Sequence, residues 1–261
     1  PWSEWQSLCR SHTAFTDAVL AAAGVDILRS GEELCRTDTT WAVLALEGAD
    51  CFAWLRDKKY FFDYLQKAGF KIIGLFWNND NWLGCGADSN ENPAADFGMR
   101  FKGKKFLADL AAYPFVLDLA HSSRRSFFEA AAVYQKPFMV SHSCCDALCP
   151  HKRNLTDEQL RLLGKRNGFL GIAFYPYFLN GTAKATADDI CEHIKYAVNL
   201  AGGDTVGLGS DFDGMDILPV GMTGCESLPL LAEKLHSGGL KYDMVEKIMG
   251  LNLKNFLQNN L

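Results

Sequence analysis

Four residues that can bind a metal ion or move a proton each follow a short apolar run of the chain. They are Glu47, His121, His142 and Asp211. Neutral imidazole and carboxylate together suit zinc and neighbouring divalent metals. A carboxylate has two oxygens and can therefore bridge two ions. If the four side chains share one cavity, the sequence predicts a metal centre with an acid/base group beside it.

Each of these residues also has an ordinary structural explanation. Taken singly, His121 or His142 is more often a packed loop histidine or a neighbour of a helix cap than a ligand. Glu47 precedes Gly48 and could lie in a solvated turn, and Asp211 could hydrogen-bond the turn that follows it. Together these explanations need four coincidences at equivalent positions. We therefore favour one shared site.

The elements that must position these residues alternate between strands and helices. Apolar runs rich in β-branched or aromatic residues predict six strands, at 41–46, 71–77, 115–120, 137–141, 169–174 and 206–209. Helical periodicity predicts helices at 52–68, 97–112, 124–134 and 242–257, and a stripe formed by Trp5, Leu8, Phe15, Val19 and Ala22. Capping-box spacing predicts two more helices, one opened by Thr156 with Gln159 and one by Thr186 with Asp189. Alternation of this kind indicates a parallel sheet.

The predicted fold class is α/β, as a (β/α)8 TIM barrel of the metal-dependent hydrolase type or a doubly wound sheet. No linker or repeat divides the chain, so we predict a single domain over 1–261. In a barrel, the carboxyl ends of all strands surround one mouth, where active sites are built. Six strands already occupy 41–210, and a helix precedes them. We therefore expect the amino-terminal part of the barrel, roughly two strands and a helix, to lie upstream of Pro1.

Composition excludes several classes of function. A net charge of -5, from 26 basic and 31 acidic side chains, has the wrong sign for binding nucleic acid through its phosphates. The longest apolar stretch, 169–179, is about half the roughly 20 residues that a membrane-spanning helix needs. The 9 cysteines include no C-x-x-C pair, which indicates reduced thiols. We expect no nucleic-acid partner and no membrane span.

Four motifs follow one another along the chain, in this order: Leu46-Glu47-Gly48, Asp118-Leu119-Ala120-His121-Ser122, Ser141-His142-Ser143 with Lys152-Arg153-Asn154 after it, and Gly209-Ser210-Asp211-Phe212-Asp213-Gly214. In order and in spacing they resemble the membrane (renal) dipeptidase family, peptidase family M19. The likeness runs from about residue 25 to the terminal Asn252-Leu253-Lys254-Asn255-Phe256 and so covers nearly the whole chain.

The resemblance implies a zinc-dependent dipeptidase that hydrolyses short peptides with a free C-terminal carboxylate through a metal-bridging hydroxide. It implies a barrel of the amidohydrolase type that holds two zinc ions, with Glu47 as the bridging ligand. His121 and His142 would bind the second ion, and Asp211 would be the acid/base. Arg153 would bind the terminal carboxylate of the substrate, although a solvated loop cation is the alternative for this residue.

Three further residues are expected to bind the substrate. Trp77 and Asn78 lie in a stretch that resembles the substrate loop of the family, and Trp77 is a bacterial-type variant there. Tyr175 follows the fifth predicted strand at the same mouth, where aromatic packing is the alternative. The expected partner is a small peptide substrate, a homodimer is left open, and the expected location is cytoplasmic.

One motif of the family is absent. Members carry a His-x-Asp pair on the first strand, which supplies the first metal ion, and no such pair occurs in these 261 residues. We expect it upstream of Pro1, and two zinc ions per chain if it is present. Another amidohydrolase reaction, such as lactone or other amide cleavage, is the enzymatic alternative. A barrel that binds a ligand without turnover is the noncatalytic alternative.

Overall fold

Parallel strands make up the sheet of this chain. The computed structural model describes residue 11, residues 14–50, residue 53 and residues 58–261. In this part of the chain the strands are β1 Val25–Ile27, β2 Thr40–Ala42, β3 Leu44–Leu46, β4 Phe70–Gly74, β5 Val116–Asp118, β6 Met139–Ser143, β7 Phe169–Ile172 and β8 Val206–Leu208. Only Val43 separates β2 from β3, so one extended stretch pairs with β1 in its first half and with β4 in its second.

The order of the strands in space follows their order in the chain. β1 pairs with β2, and β3 to β8 form a six-stranded parallel sheet in the order β3-β4-β5-β6-β7-β8. A doubly wound sheet reverses its strand order at a switch point, and this sheet has no reversal among the described strands. The arrangement is therefore the steady progression around an axis that a (β/α)8 barrel requires.

Helices connect most successive strands. They are α1 at 14–22, α2 Lys58–Ala68, α3 Phe101–Leu110, α4 Arg124–Val133, α5 Asp157–Lys165, α6 Pro176–Leu179, α7 Ala187–Ala201, α8 Leu228–Ser237, α9 Tyr242–Glu246 and α10 Asn252–Asn260. Both predicted capping boxes are confirmed: the Thr156 amide donates to Gln159 Oε1 at 3.0 Å, and the Thr186 amide donates to Asp189 Oδ2 at 2.7 Å. None of the helices in the described ranges has the length and apolar character needed to cross a bilayer.

The predicted elements differ from the observed ones at their ends and in four places. Strand β1 was not predicted, because three residues are too few to show a periodicity. The predicted helix over 242–257 is interrupted by a π-helical turn, Lys247–Leu251. Helices α6 and α8 were also not predicted. Trp5, Leu8 and the start of the predicted helix at 52–68 lie outside the described residues.

The sheet is buried on both faces, as parallel sheets usually are. On one face, Ile72, Val116, Met139 and Phe169 pack with residues of α10. Their neighbours in the same strands point the opposite way into the larger core beneath the outer helices; these neighbours include Ile73, Leu117, Val140 and Leu170. Apolar packing on both faces of the sheet thus fixes the position of the strand ends that carry the candidate site.

We expect Phe169→Ala to lower the free energy of unfolding by about 3–5 kcal/mol, because the ring is buried in the inner layer and its removal leaves a cavity. Urea denaturation measures this change. Phe101→Ala is the matched control: this ring is 84% exposed, so its loss should change stability by no more than about 0.5 kcal/mol. Equal losses for the two variants would contradict the two-layer core.

Candidate metal centre

Three side chains meet at the carboxyl ends of the strands. Glu47 directly follows β3, His121 lies three residues after β5, and His142 lies within β6 and not after it as predicted. His121 Nε2 is 2.8 Å from Glu47 Oε1 and 2.8 Å from His142 Nε2. His142 Nε2 is 3.6 Å from the same carboxylate oxygen. The structure therefore brings together the three residues that the sequence predicts as ligands.

The Nδ1 atoms of both imidazoles, which point away from Glu47, contact other side chains. His121 Nδ1 lies 2.8 Å from Asn78 Oδ1, and His142 Nδ1 lies 2.8 Å from Ser141 Oγ. A carbonyl oxygen only accepts hydrogen bonds, so the contact with Asn78 favours the His121 tautomer with its proton on Nδ1 and its lone pair on Nε2. The Nε2 atoms of both rings are thus the ones that face Glu47.

The inner atoms of this cluster suit a divalent cation. A carboxylate oxygen and ring nitrogens with free lone pairs repel one another at these separations unless a positive charge lies among them. Two imidazoles and one carboxylate are also a known zinc ligand set. Among the described residues, Glu47, His121 and His142 are the only group of three or more potential ligands with donor atoms within 4.8 Å of one another. The residues present therefore fit a metal ion.

The local environment keeps the three side chains in their ligand forms. Burial, together with the charges of Arg153 and His121, lowers the pKa of His142 to about 3. Burial is also the main cause that lowers the pKa of His121. The pKa of Glu47 is lowered, chiefly by its contact with His121. At neutral pH the cluster holds two uncharged imidazoles and one ionised carboxylate, the forms that metal binding requires.

Asp211 stands beside this cluster and is not one of the three converging residues. It follows β8 and begins a short 3₁₀ turn, Phe212–Gly214, with a left-handed φ of 62°. A Cβ on Gly214 would lie 2.2 Å from Asp211 Oδ1, so a side chain at position 214 would displace this carboxyl group. Burial, followed by the negative charge of Glu47, raises the pKa of Asp211. A raised pKa makes a carboxyl group a better proton acceptor, which is the first requirement for a general base.

Arg153 is buried, which contradicts the alternative of a solvated loop cation. Its side chain is 6% exposed, and Nη2 donates to the His142 carbonyl at 3.3 Å. Its Nε has no hydrogen-bond partner. The Arg153 amide donates to His151 Nδ1 at 3.1 Å, and Ser143 Oγ donates to the Arg153 carbonyl at 2.7 Å. A buried guanidinium with an unpaired donor calls for an anionic partner.

The remaining predicted site residues lie close to His121 or to Arg153. Trp77 is 55% exposed, and its ring lies nearly parallel to the His121 ring at 6.1 Å. Tyr175 packs edge-on against Phe178 at 4.9 Å, and the Arg153 guanidinium lies 5.5 Å from the same Phe178 ring. Asn78 contacts His121. His151 is not among the predicted site residues; its Nδ1 accepts the hydrogen bond from the Arg153 amide.

Unusual backbone conformations concentrate at this site. Four non-glycine residues have a positive φ in the described part of the chain: Asn78 at 56°, His121 at 63°, Asp211 at 62° and Asn167 at 50°. Three of the four belong to the site. Left-handed conformations are unfavourable for most side chains and persist where the surrounding structure enforces them.

Residues 6–259 match the family described as membrane dipeptidase, peptidase family M19. The chain belongs to this family. The match confirms the family and the class of metallopeptidase predicted from the motifs. It agrees with the observed cluster, because a metallopeptidase needs ligands of the kind that Glu47, His121 and His142 supply.

Relatives of this M19 chain include a protein of the pqqA 5′ region of Klebsiella pneumoniae, 33% identical over 235 residues, which cover 87% of this chain and 85% of that protein. A Schizosaccharomyces pombe protein described as an uncharacterised dipeptidase is 32% identical over 188 residues, or 71% of this chain. The aligned region spans only 45% of that fungal protein.

Solved structures that are similar to this chain confirm the fold class. One is a metallopeptidase of Rhodobacter sphaeroides with a phosphinate mimic of the dipeptide L-Ala-D-Ala; it is 25% identical, with a TM-score of 0.86 over 97% of this chain and 73% of that chain. Another is a dipeptidase of family M19, 24% identical, with a TM-score of 0.88 over 99% of this chain and 78% of that chain.

The lowered histidine pKa values predict how the metal-free protein responds to acid. Unfolding restores the ordinary value near 6.5, so the unfolded chain binds more protons and the free energy of unfolding falls as the pH drops below about 6.5. We expect His142→Gln to reduce the loss between pH 7 and pH 5.5 by about 1 kcal/mol, because this variant lacks one titrating group. Urea denaturation after dialysis against a chelator measures the difference. An equal loss in both proteins would contradict a neutral His142.

Proposed function

We propose that this protein is a zinc-dependent dipeptidase that hydrolyses short peptides with a free C-terminal carboxylate. The observation that carries the proposal is the position of Arg153: a buried guanidinium with an unpaired Nε lies against the backbone of a candidate metal ligand. A metal site beside a fixed positive charge suits a substrate whose scissile bond lies close to a carboxylate. The dipeptide mimic bound to the Rhodobacter sphaeroides metallopeptidase supports this substrate class.

Glu47, His121 and His142 would hold the metal. A bound divalent ion lowers the pKa of water toward 7 and polarises the scissile carbonyl. The neutral imidazoles and the ionised carboxylate leave the site ready to bind metal at neutral pH. The burial of both histidines limits the access of bulk water and strengthens these electrostatic interactions.

Asp211 would transfer the proton. It would accept a proton from the attacking water and return it to the departing amine, because an amide nitrogen leaves poorly as an anion. The raised pKa of Asp211, caused by burial and by Glu47, brings its affinity for a proton closer to what both steps need. The absence of a side chain at Gly214 leaves the space that the carboxyl group occupies.

Arg153 would bind the terminal carboxylate, and two aromatic residues would form the walls. The planar guanidinium can make charge-assisted hydrogen bonds to a carboxylate, and its unpaired Nε is available for one of them. Trp77 would cover the metal side of the pocket, and Tyr175 would cover the carboxylate side through its contact with Phe178. We propose that a D-residue is accepted at the second position, as in the mimic L-Ala-D-Ala.

The proposal predicts that Asp211→Asn retains zinc and loses turnover. The substitution removes the acid/base and leaves the three ligands unchanged, so kcat should fall about 10²–10⁴-fold. Metal analysis of the purified full-length protein and hydrolysis of an L-Xaa-D-Xaa panel are the measurements. Glu47→Gln is the comparison variant, which should lose zinc and turnover together. A wild-type protein that holds zinc and hydrolyses nothing would favour the ligand-binding barrel.

A second prediction separates a dipeptidase from other amidohydrolases. Arg153→Ala should raise KM about ten- to a hundred-fold for free dipeptides, since a hydrogen bond to a charged group contributes about 1.5–3 kcal/mol. The KM for the same peptides with an amidated C-terminus should change little. Steady-state kinetics on matched pairs of substrates measures the ratio. Equal effects on both substrates would remove Arg153 from carboxylate recognition and favour lactone or other amide cleavage.

A further inference from the structure

On the side of the ring away from Glu47, His142 contacts the hydroxyl of Ser141, and this hydroxyl contacts the carboxylate of Asp118. Ser141 Oγ lies 2.8 Å from His142 Nδ1 and donates to Asp118 Oδ2 at 2.5 Å. We propose that Asp118 and Ser141 are positioning residues that keep the His142 proton on Nδ1 and its lone pair on Nε2, and that Asn78 does the same for His121. This inference rests on the proposed function, because it concerns the metal-binding form of both imidazoles.

The direction of the hydrogen bonds follows from the donors around Asp118. The Ala120 amide donates to Asp118 Oδ1 at 2.9 Å, and the Ser141 amide donates to the same oxygen at 3.0 Å. Oδ2 then accepts from the Ser141 hydroxyl at a distance typical of a charge-assisted O–H···O⁻ bond. A serine hydroxyl has a single proton. Ser141 Oγ is therefore left as an acceptor, and the bond to His142 needs the proton of Nδ1.

The sheet fixes this series of groups in place. Asp118 is the last residue of β5 and is opposite Met139 in the pairing of β5 with β6. Its side chain reaches two residues further along β6, where Ser141 and His142 are adjacent. Asp118 is only 8% exposed, so water competes little for its oxygens. Two hydrogen bonds from backbone amides hold the carboxylate in a single orientation.

His121 has a different support. Its partner, Asn78, belongs to the loop after β4, and Asn78 Oδ1 can only accept the proton of His121 Nδ1. The loop is closed by Asp80, whose Oδ1 accepts from the Gly86 amide at 3.1 Å and from Ser89 Oγ at 2.8 Å. The structure thus supports Asn78 as a positioning residue, where the sequence predicted a substrate contact.

An isosteric variant would reverse the direction of the hydrogen bonds between residue 118, Ser141 and His142. In Asp118→Asn, the amide oxygen can still accept from the two backbone amides, and the NH₂ group then faces Ser141 Oγ. That hydroxyl becomes an acceptor from the amide and must donate its own proton to His142 Nδ1. The imidazole proton would move to Nε2, which faces Glu47. Loss of such an outer support typically costs about 10–100-fold in metal affinity.

The experiment uses the full-length protein and two readouts besides activity. Competition with a chromophoric chelator gives the Kd for zinc, and ¹⁵N NMR of the histidine rings in zinc-free protein gives the protonated nitrogen. We expect Asp118→Asn and Ser141→Ala to raise the zinc Kd about 10–100-fold. In Asp118→Asn the His142 proton should move from Nδ1 to Nε2. Ser141→Thr, made alone, keeps the hydroxyl and should therefore keep the wild-type zinc Kd and the wild-type position of the proton.

Ser143→Ala is the matched control. It removes a hydroxyl from the same strand, on the other side of His142, that donates to the Arg153 carbonyl and not to an imidazole. Its zinc Kd and its His142 signals should match those of the wild type. For His121, Asn78→Ala should weaken zinc binding, whereas Asn78→Asp keeps an acceptor in place and should not.

Two outcomes would overturn the inference. One is a zinc Kd that is unchanged in Asp118→Asn and Ser141→Ala. The other is a wild-type His142 with its proton on Nε2, which would show that the hydrogen bonds run in the opposite direction. A wild-type protein that binds no zinc would instead overturn the proposed function. The NMR measurement on zinc-free protein would still decide the direction of the hydrogen bonds.

Discussion

The convergence of three electron-rich atoms is the constraint on which the rest of the structure depends. Glu47 Oε1 and the Nε2 atoms of His121 and His142 lie 2.8–3.6 Å apart, with the carboxylate half exposed and the imidazoles largely covered. With a lone pair on each Nε2 atom, which is the form that binds a metal ion, these three atoms repel one another unless a cation lies among them. A fold that holds it must be rigid enough to prevent the side chains from separating. The parallel sheet, packed on both faces, provides that rigidity at the ends of β3, β5 and β6.

The buried cation Arg153 lies among three acidic side chains near the cluster. Glu47 and Asp211 are acidic, Arg153 lies buried near both, and Asp118 lies behind His142. The guanidinium helps to hold Glu47 ionised and both imidazoles neutral. One buried cation therefore prepares the ligands while it presents an unpaired donor to the pocket. The same guanidinium thus contributes to the electrostatics of the metal ligands and to the proposed recognition of a carboxylate.

The sequence was sufficient to predict that the three candidate ligands converge. It was insufficient to predict which residues hydrogen-bond the two imidazoles. Glu47, His121 and His142 could be predicted because their residue types carry the chemistry and parallel strands bring their carboxyl ends together. The role of Asp118 and Ser141 depends on the register of β5 against β6, which no local pattern specifies. The contact of Asn78 depends on a left-handed backbone in a loop. Roles for Asp211, Arg153, Trp77 and Tyr175 remain predictions; Trp77 contacts His121, and Tyr175 and Arg153 contact the same Phe178 ring.

The left-handed conformations of Asn78, His121 and Asp211 limit how far this protein can be made more stable. Glycine is the usual replacement where φ is positive, because it removes the steric conflict of the side chain. Here each replacement would delete a carboxamide, an imidazole or a carboxylate of the site. Conformational energy of order 1–3 kcal/mol per position is therefore retained permanently. Thermostable variants would have to gain their stability at a distance from the mouth, in the outer helices and their caps.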